Sequence, residues 1–235
     1  MAGNYYFRWA PLGILLLSQS ILPAQAQVVP EDSLVLEELI VTARKREQNL
    51  QDVAVGVSLL SGKALAEAQL QNAAELTALV PTLNLQASSG PGTSSFNIRG
   101  IGTRSFAAGV EPSVSTMLDG VVMASSGMSF IDLVDIERVE VLRGPQGTLY
   151  GKNASGGVVH MITRDPTQEL SGVVAVTAIE QDEYRLDGTI SGPITDKLSF
   201  RLTGNTVDDG GWANNAFDDK DINNSESWTV RGKLL

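Results

Sequence analysis

Apolar and polar residues alternate with a period of two in the C-terminal part of the chain, after Pro166. Residues 184–191, 198–205 and 227–234 alternate regularly, and residues 172–180 alternate less regularly. The alternation predicts β-strands with one apolar face and one polar face. With a short turn at 193–196 and a long polar loop at 208–225, it is typical of the wall of a water-filled membrane barrel. A half-buried soluble antiparallel sheet also alternates, so this pattern alone leaves both structures open.

Two short helices are expected before the middle of the chain. Residues 61–69 place alanines and a leucine on one side, and residues 72–80 form a better helical pattern. Asn72 can cap the second helix, with Glu75 three residues later as in a capping box, and Pro81 ends it. These signals predict helices packed against the neighbouring strands.

The same central part also contains strand and turn signals. Residues 53–60, 136–142 and 156–163 are β-branched or alternating runs that predict strands. Asp119-Gly120 lies between two apolar pairs and indicates a hairpin. We therefore expect a compact α+β unit over residues 47–166.

Residues 1–26 have the composition of a secretory signal peptide. Arg8 supplies the positive charge, Ala10–Leu22 is the apolar region, and Ala24-Gln25-Ala26 matches an A-x-A cleavage site. A transmembrane anchor is the alternative, but the apolar run is shorter than the roughly 20 residues a spanning helix needs. We expect export and cleavage after Ala26.

A short segment in the linker at 27–46 has the character of an exposed extended strand. Its residues are Glu37, Glu38, Leu39, Ile40, Val41, Thr42 and Ala43. Such a segment can add a strand to the sheet edge of a partner, with main-chain hydrogen bonds providing the affinity. By itself it would also suit the first strand of any β fold.

Charge and cysteine content exclude several classes of function. The formal net charge is −10, which argues against nucleic acid as a partner. The chain has no cysteine, so disulfides, thiolate catalysis and cysteine-ligated metals are excluded.

Three motifs in the central unit resemble the plug domain of TonB-dependent receptors of the outer membrane. They are Phe96–Gly102, Met117–Val121 and the long run Asp135–Gly151, which continues to Val159. Within this resemblance, the segment at 37–43 is similar to the TonB box. The signature positions are Arg99, Gly100, Asp119, Gly120, Glu137, Arg138, Glu140, Arg143, Gly144, Pro145, Gln146 and Gly147.

The resemblance implies a plug inside a barrel of about 22 strands. It implies TonB and its inner-membrane energising complex as partners, contact with outer-membrane lipid, and location in the outer membrane of a Gram-negative bacterium. The ligand would be a ferric siderophore or another metal or nutrient complex. For Arg99, Arg138 and Arg143, with Glu137 and Glu140, two interpretations stay open: pairing with charged inward-facing wall residues, or ordinary solvated strand charges.

Residues 167–235 leave room for only about four strands of about 9–11 residues, so the chain is expected to be the N-terminal part of such a receptor. Two other interpretations stay open. The first is a soluble periplasmic plug-only binding protein, and the second is an oligomeric barrel to which several chains each contribute strands.

Other chemical motifs fail on inspection. Residues 147–153 lack the glycine spacing and the Ser/Thr of a phosphate loop. Residues 219–230 have Asn224 where a calcium loop needs glycine and Val230 where it needs glutamate. His160 lies in an apolar strand and is expected to be a packed core residue. The sequence therefore gives no reason to expect a catalytic site, a metal site or a cofactor.

Overall fold

The computed structural model of the chain describes residues 40–41, 48–49, 55–87, 94–103, 110–123, 125–179, 183–211, 213–215, 220–222 and 224–235. The described residues all fall within one unit, Glu38–Leu235. The predicted signal peptide at 1–26 lies outside the described residues. So does every residue of the predicted TonB box except Ile40 and Val41.

The regular elements follow the predicted order of strands and short helices. The strands in the described residues are β1 (Ile40–Val41), β2 (Gln48–Asn49), β3 (Val57–Ser61), β4 (Leu83–Gln86), β5 (Ser95–Ile98), β6 (Ile101–Gly102), β7 (Val114–Leu118), β8 (Val121–Val122), β9 (Ile136–Arg143), β10 (Gly157–Thr163), β11 (Ser171–Ile179), β12 (Glu183–Thr195), β13 (Leu198–Asp209), β14 (Ala213–Asn215), β15 (Lys220–Ile222) and β16 (Ser225–Leu234). The helices are α1 (Gly62–Glu67), α2 (Gly147–Tyr150) and the 3-10 helices Ala73–Ala78 and Ser126–Ser129.

Side-chain caps start the two helices predicted between residues 61 and 80. Ser61 caps α1, and Asn72 caps the next helix through its side-chain oxygen. Glu75 accepts the backbone N–H of Gln71 at 2.6 Å, one residue earlier than a capping box would place it. The predicted helix at 72–80 is a 3-10 helix, because a run this short, closed by Pro81, is tightened by i→i+3 hydrogen bonds.

A five-stranded sheet forms the centre of the part before residue 167, which we call the plug unit. Its strand order is β3-β9-β10-β7-β8, and β7 runs parallel to β10 while the other neighbours are antiparallel. A second sheet has the order β4-β5-β6. Strand β10 is buried along nearly its whole length, which is why its sequence is mostly apolar apart from His160. Strand β9 is buried at Ile136 and from Val139 to Leu142.

Two hydrophobic clusters of buried residues surround the five-stranded sheet, because successive side chains of a strand point to opposite faces. The first cluster joins one face of the five-stranded sheet to α1, the first 3-10 helix and the smaller sheet. Its members are Leu65, Ala73, Leu76, Val80, Leu83, Phe96, Ile98, Val114, Ile136, Val139, Val141, Val159 and Met161. The second is smaller and contains Val41, Met117, Leu142, Tyr150, Ala154 and Val158. Val41 of β1 is fully buried in this second cluster.

The four strands β11, β12, β13 and β16 form an antiparallel sheet in that order, which we call the wall. Its outward face is apolar and exposed: Val174, Val176, Tyr184, Leu186, Ile190, Leu198, Leu202, Trp228, Val230 and Leu234. The predicted alternation is therefore the pattern of this sheet. The fold class, an α+β plug unit followed by antiparallel strands, is confirmed.

Two connections in the wall differ from the prediction. Strand β12 continues to Thr195, with a register shift after Pro193, so the turn falls at 196–197. The loop predicted at 208–225 contains β14 and β15, which pair with each other. A short ladder inside a long loop satisfies backbone groups that would otherwise need water. In the part of the chain that the structure describes, no helix is both long and apolar enough to span a membrane.

Candidate functional site

The Asp119-Gly120 signature is the turn between β7 and β8, and it is tied to strand β10. Both residues have positive φ, 47° and 82°, which Asp tolerates and Gly favours. The Asp119 carboxylate accepts the Thr163 backbone N–H at 2.8 Å and the Thr163 hydroxyl at 2.6 Å. The Gly120 N–H donates to His160 Nε2 at 3.1 Å. These hydrogen bonds therefore fix the β7–β8 turn to β10, the central strand of the sheet.

Two other signature segments are also tight turns. Arg99 and Gly100 lie between β5 and β6 with φ of 52° and 81°, and both are exposed. Gly144 has φ of 91° and begins the loop that leads into α2. The Gln146 N–H donates to the carbonyl of Ala154 at 2.8 Å, which closes that loop on itself. This geometry explains why glycine recurs in the motif.

The charged residues of β9 make contacts inside the plug unit. Arg138 donates to Glu140 at 3.0 Å and to Glu137 at 2.5 Å, and the Glu140 side chain is fully buried. Arg143 donates to the carbonyl of Gly56 at 3.3 Å. In the described residues, Arg138 and Arg143 therefore bind acceptors of the plug unit, and pairing of these charges with other parts of the wall stays a prediction. These long side chains find nearer partners on their own sheet.

Val41, in the predicted TonB box, is fully buried against the plug unit. Strand β1 pairs antiparallel with β2, with Val41 opposite Gln48. The side chain belongs to the cluster that includes Leu142 of β9, Tyr150 of α2 and Val158 of β10. The expectation of an exposed segment is wrong at this residue, because an apolar side chain lowers its free energy by packing in an available apolar site.

Titratable side chains are buried beside this cluster. His160 lies opposite Glu140 in the β9–β10 ladder. Burial lowers the pKa of His160, and the opposing effects of Glu140 and Asp119 are smaller. Burial, with Glu140 nearby, raises the pKa of Tyr150 to about 12. His160 is thus a packed neutral residue with Nε2 as an acceptor. Searched across the described residues, the structure contains no cluster of side chains suited to a metal ion.

The wall touches the plug unit through contacts that the sequence did not predict. Asp135 receives hydrogen bonds from Arg201 at 2.5 and 2.6 Å and from Thr203 at 2.8 Å. Lys233 pairs with Asp165 at 2.6 Å. One signal could have found them, since the polar positions of β12, β13 and β16 carry basic residues and the plug segment before β9 is acidic.

A cavity of about 910 Å³ lies beside this contact, between α1, the segment before β9, and strands β11 and β12. Its lining mixes apolar residues such as Leu65 and Val173 with charged groups of both signs, including Arg164, Arg185 and Asp187. Asp135 and Arg201 also line this cavity, so the contact between wall and plug unit forms part of its boundary.

Comparison with known families supports the class indicated by the motifs. Residues 49–158 match the TonB-dependent receptor plug domain family. This span contains the five-stranded sheet up to the start of β10 and all the signature positions. The chain belongs to the TonB-dependent receptors and corresponds to their N-terminal part.

The similar proteins include receptors by name and an iron-regulated protein of the outer membrane. The chain is 32% identical over 226 residues to the pesticin receptor of Yersinia pestis, covering 94% of this chain and 32% of that protein. It is 30% identical over 183 residues to the iron-regulated outer membrane virulence protein of Vibrio cholerae, covering 73% and 28%. The crystal structure of the ferric yersiniabactin uptake receptor from Yersinia pestis matches with a TM-score of 0.67 and 30% identity, over 77% of this chain and 28% of that one.

The chain spans about a third of the length of these curated relatives. They are receptors and not enzymes, so the family of this chain is a receptor family. The predicted location in the outer membrane of a Gram-negative bacterium is confirmed by that membership.

Proposed function

We propose that the chain serves TonB-energised uptake of a ferric siderophore or a similar scarce metal complex across the outer membrane. The support is the plug family match, relatives named as receptors for iron complexes, and a wall with an apolar outer face. In this proposal residues 1–26 are the signal peptide, 27–46 the linker, 47–166 the plug domain and 167–235 barrel strands. Lipid contacts the outer face of the wall.

The TonB box is proposed to be residues 37–43, which bind TonB by strand addition. The observation that carries this is the position of Ile40–Val41, since these residues are already an extended strand and Val41 packs against the signature strand β9. In this proposal the segment leaves the plug unit when TonB binds, because the Val41 side chain is fully buried there and one edge of the strand is already paired with β2.

Titration of the detergent-solubilised chain with the periplasmic C-terminal domain of TonB tests the proposal. Val41→Pro removes a backbone donor and fixes φ, so it should abolish binding. Val35→Pro, just outside the segment, is the matched control and should leave binding unchanged. Equal affinity of the wild-type and Val41→Pro chains would show that the box is assigned wrongly.

The soluble plug-only alternative has a separate test. Residues 27–235 should aggregate without detergent, because the apolar wall face and two open sheet edges are unprotected. Residues 27–166 should be soluble and unfold cooperatively. A monodisperse, detergent-free monomer of residues 27–235 in size-exclusion chromatography would favour the alternative.

A further inference from the structure

Four basic side chains of the wall converge on two short segments of the plug unit, residues 132–135 and 163–165, which we call the seat. These side chains come from three neighbouring strands and all lie on the inward face: Arg185 on β12, Arg201 on β13, and Arg231 and Lys233 on β16. Several cations on one face cost free energy unless acceptors face them. The seat supplies such acceptors.

Asp135 is the centre of the seat. Arg201 binds it in a bidentate manner, with Nη2 2.5 Å from Oδ1 and Nε 2.6 Å from Oδ2. Thr203 donates its hydroxyl to Oδ2 at 2.8 Å. The Asp135 and Arg201 side chains are only 8% and 12% exposed. A bidentate, mostly buried pair of this kind fixes direction as well as distance.

The backbone of Asp135 also takes part. Its φ is 58°, a conformation that Asp adopts more readily than most residues. Its carbonyl accepts the N–H of Arg164 at 3.1 Å, which joins the two segments of the seat. The side chain of Asp135 is therefore bound by the wall, and its main chain is bound within the plug unit.

The other cations extend the same contact. Arg185 pairs with Asp132 at 3.4 Å, and Arg231 donates twice to the carbonyl of Val134, at 3.2 and 3.3 Å. Lys233 reaches the carbonyl of Thr163 at 3.2 Å. The wall thus also binds Asp132 and Val134, which precede Asp135 in the chain, and Thr163 in the second segment of the seat.

We propose that Asp135 is a positioning residue that fixes the plug unit in register against the wall, acting through Arg201 and Thr203. This role requires no contact with ligand or TonB, so the inference does not depend on which ligand is imported. Burial alone would raise the pKa of Asp135, but the hydrogen bonds and charges of Arg201, Thr203 and Arg164 outweigh it and lower the pKa. The carboxylate is consequently charged throughout the neutral range, and the contact stays ionic.

Hydrogen exchange of the full chain in detergent tests this proposal. Asp135→Asn leaves Arg201 buried without its charge partner, so exchange at the Arg164 and Asp165 amides should accelerate about 100-fold. Exchange in the β9–β10 ladder should not change, since it reports the core. Lys63→Ala is the matched control, because it breaks an exposed ion pair with Glu67 and should alter neither region.

A double-mutant cycle separates positioning from local packing. Arg201→Gln should accelerate the same exchange, and the variant with both Asp135→Asn and Arg201→Gln should be closer to wild type than the product of the two single effects. Asp135→Asn could unfold the chain and lose protection everywhere, and Thr203→Val is the milder variant for that case. It removes only one hydrogen bond to Asp135 and should accelerate exchange at the Arg164 and Asp165 amides by about tenfold or less. Unchanged exchange at the seat in all variants, or independent effects in the cycle, would overturn the proposal.

Discussion

Val41→Ala should have opposite effects on TonB binding in the whole chain and in an isolated peptide. The substitution removes two methyl groups from a fully buried side chain. At about 0.8 kcal/mol for each buried carbon, plus a small cavity term, docking on the plug unit should weaken by about 2 kcal/mol. That corresponds to a shift of roughly 30-fold in the ratio of docked to released segment.

The same substitution reduces β-propensity and contact with the partner, which is worth at most about 1 kcal/mol, or about fivefold in affinity. A peptide of residues 31–50 has no plug unit to bind, and an isolated two-stranded hairpin is marginal in water. In the peptide, therefore, Val41→Ala should only weaken binding. In the whole chain the released fraction limits apparent affinity, so Val41→Ala should tighten binding by about fivefold.

Isothermal titration of both forms with the C-terminal domain of TonB measures the two effects. Leu142→Ala in the whole chain is a useful second variant, because it damages the docking cluster without touching the box. It too should tighten binding. If Val41→Ala weakens binding equally in chain and peptide, burial of Val41 does not compete with TonB, and the reasoning fails.

Three further predictions follow from other parts of the molecule. The mature protein from an envelope fraction should begin at Gln27, and N-terminal sequencing that finds Met1 would contradict export with cleavage. Gly157→Ala should destabilise the chain by at least about 2 kcal/mol in denaturant unfolding, because a Cβ would lie 2.4 Å from the Leu142 carbonyl oxygen. The control is Gly147→Ala, which should be neutral or stabilising because the space around Gly147 is open. Folding lowers the pKa of His160, so its contribution to stability is complete above about pH 6.5 and declines as pH falls below that value. His160→Gln should therefore reduce the change in melting temperature between pH 7 and 5. An unchanged dependence of melting temperature on pH in this variant would exclude His160 as the cause.

Local features of the fold were predictable from the sequence because their causes are local. The wall strands follow from alternation, and the turn at Asp119-Gly120 follows from its residue types. The helix expected at 72–80 is a 3-10 helix over Ala73–Ala78, a detail that capping signals do not determine because they do not set the hydrogen-bond period. The loop after β13 looked polar throughout, and its β14–β15 ladder depends on pairing that composition does not encode.

Long-range contacts were the part that sequence reasoning could not supply. Arg201 and Asp135 are 66 residues apart in the chain, and neither belongs to a short motif with a known ligand. The parallel pairing of β7 with β10 likewise depends on the topology of the whole sheet. Val41 was expected to be exposed because its own neighbourhood is a linker, whereas its packing partners lie about a hundred residues away on β9, α2 and β10.

Site-specific cross-linking in cells would test the central claim most directly. The chain has no cysteine, so a single cysteine introduced at each position from 37 to 43 is a unique probe against cysteines in the C-terminal domain of TonB. Because alternate residues of an added strand face the same side, cross-linking yields should alternate along the segment, and a cysteine at residue 35 should react little. Uniformly absent cross-links, or equal yields inside and outside the segment, would contradict recognition of residues 37–43 by TonB.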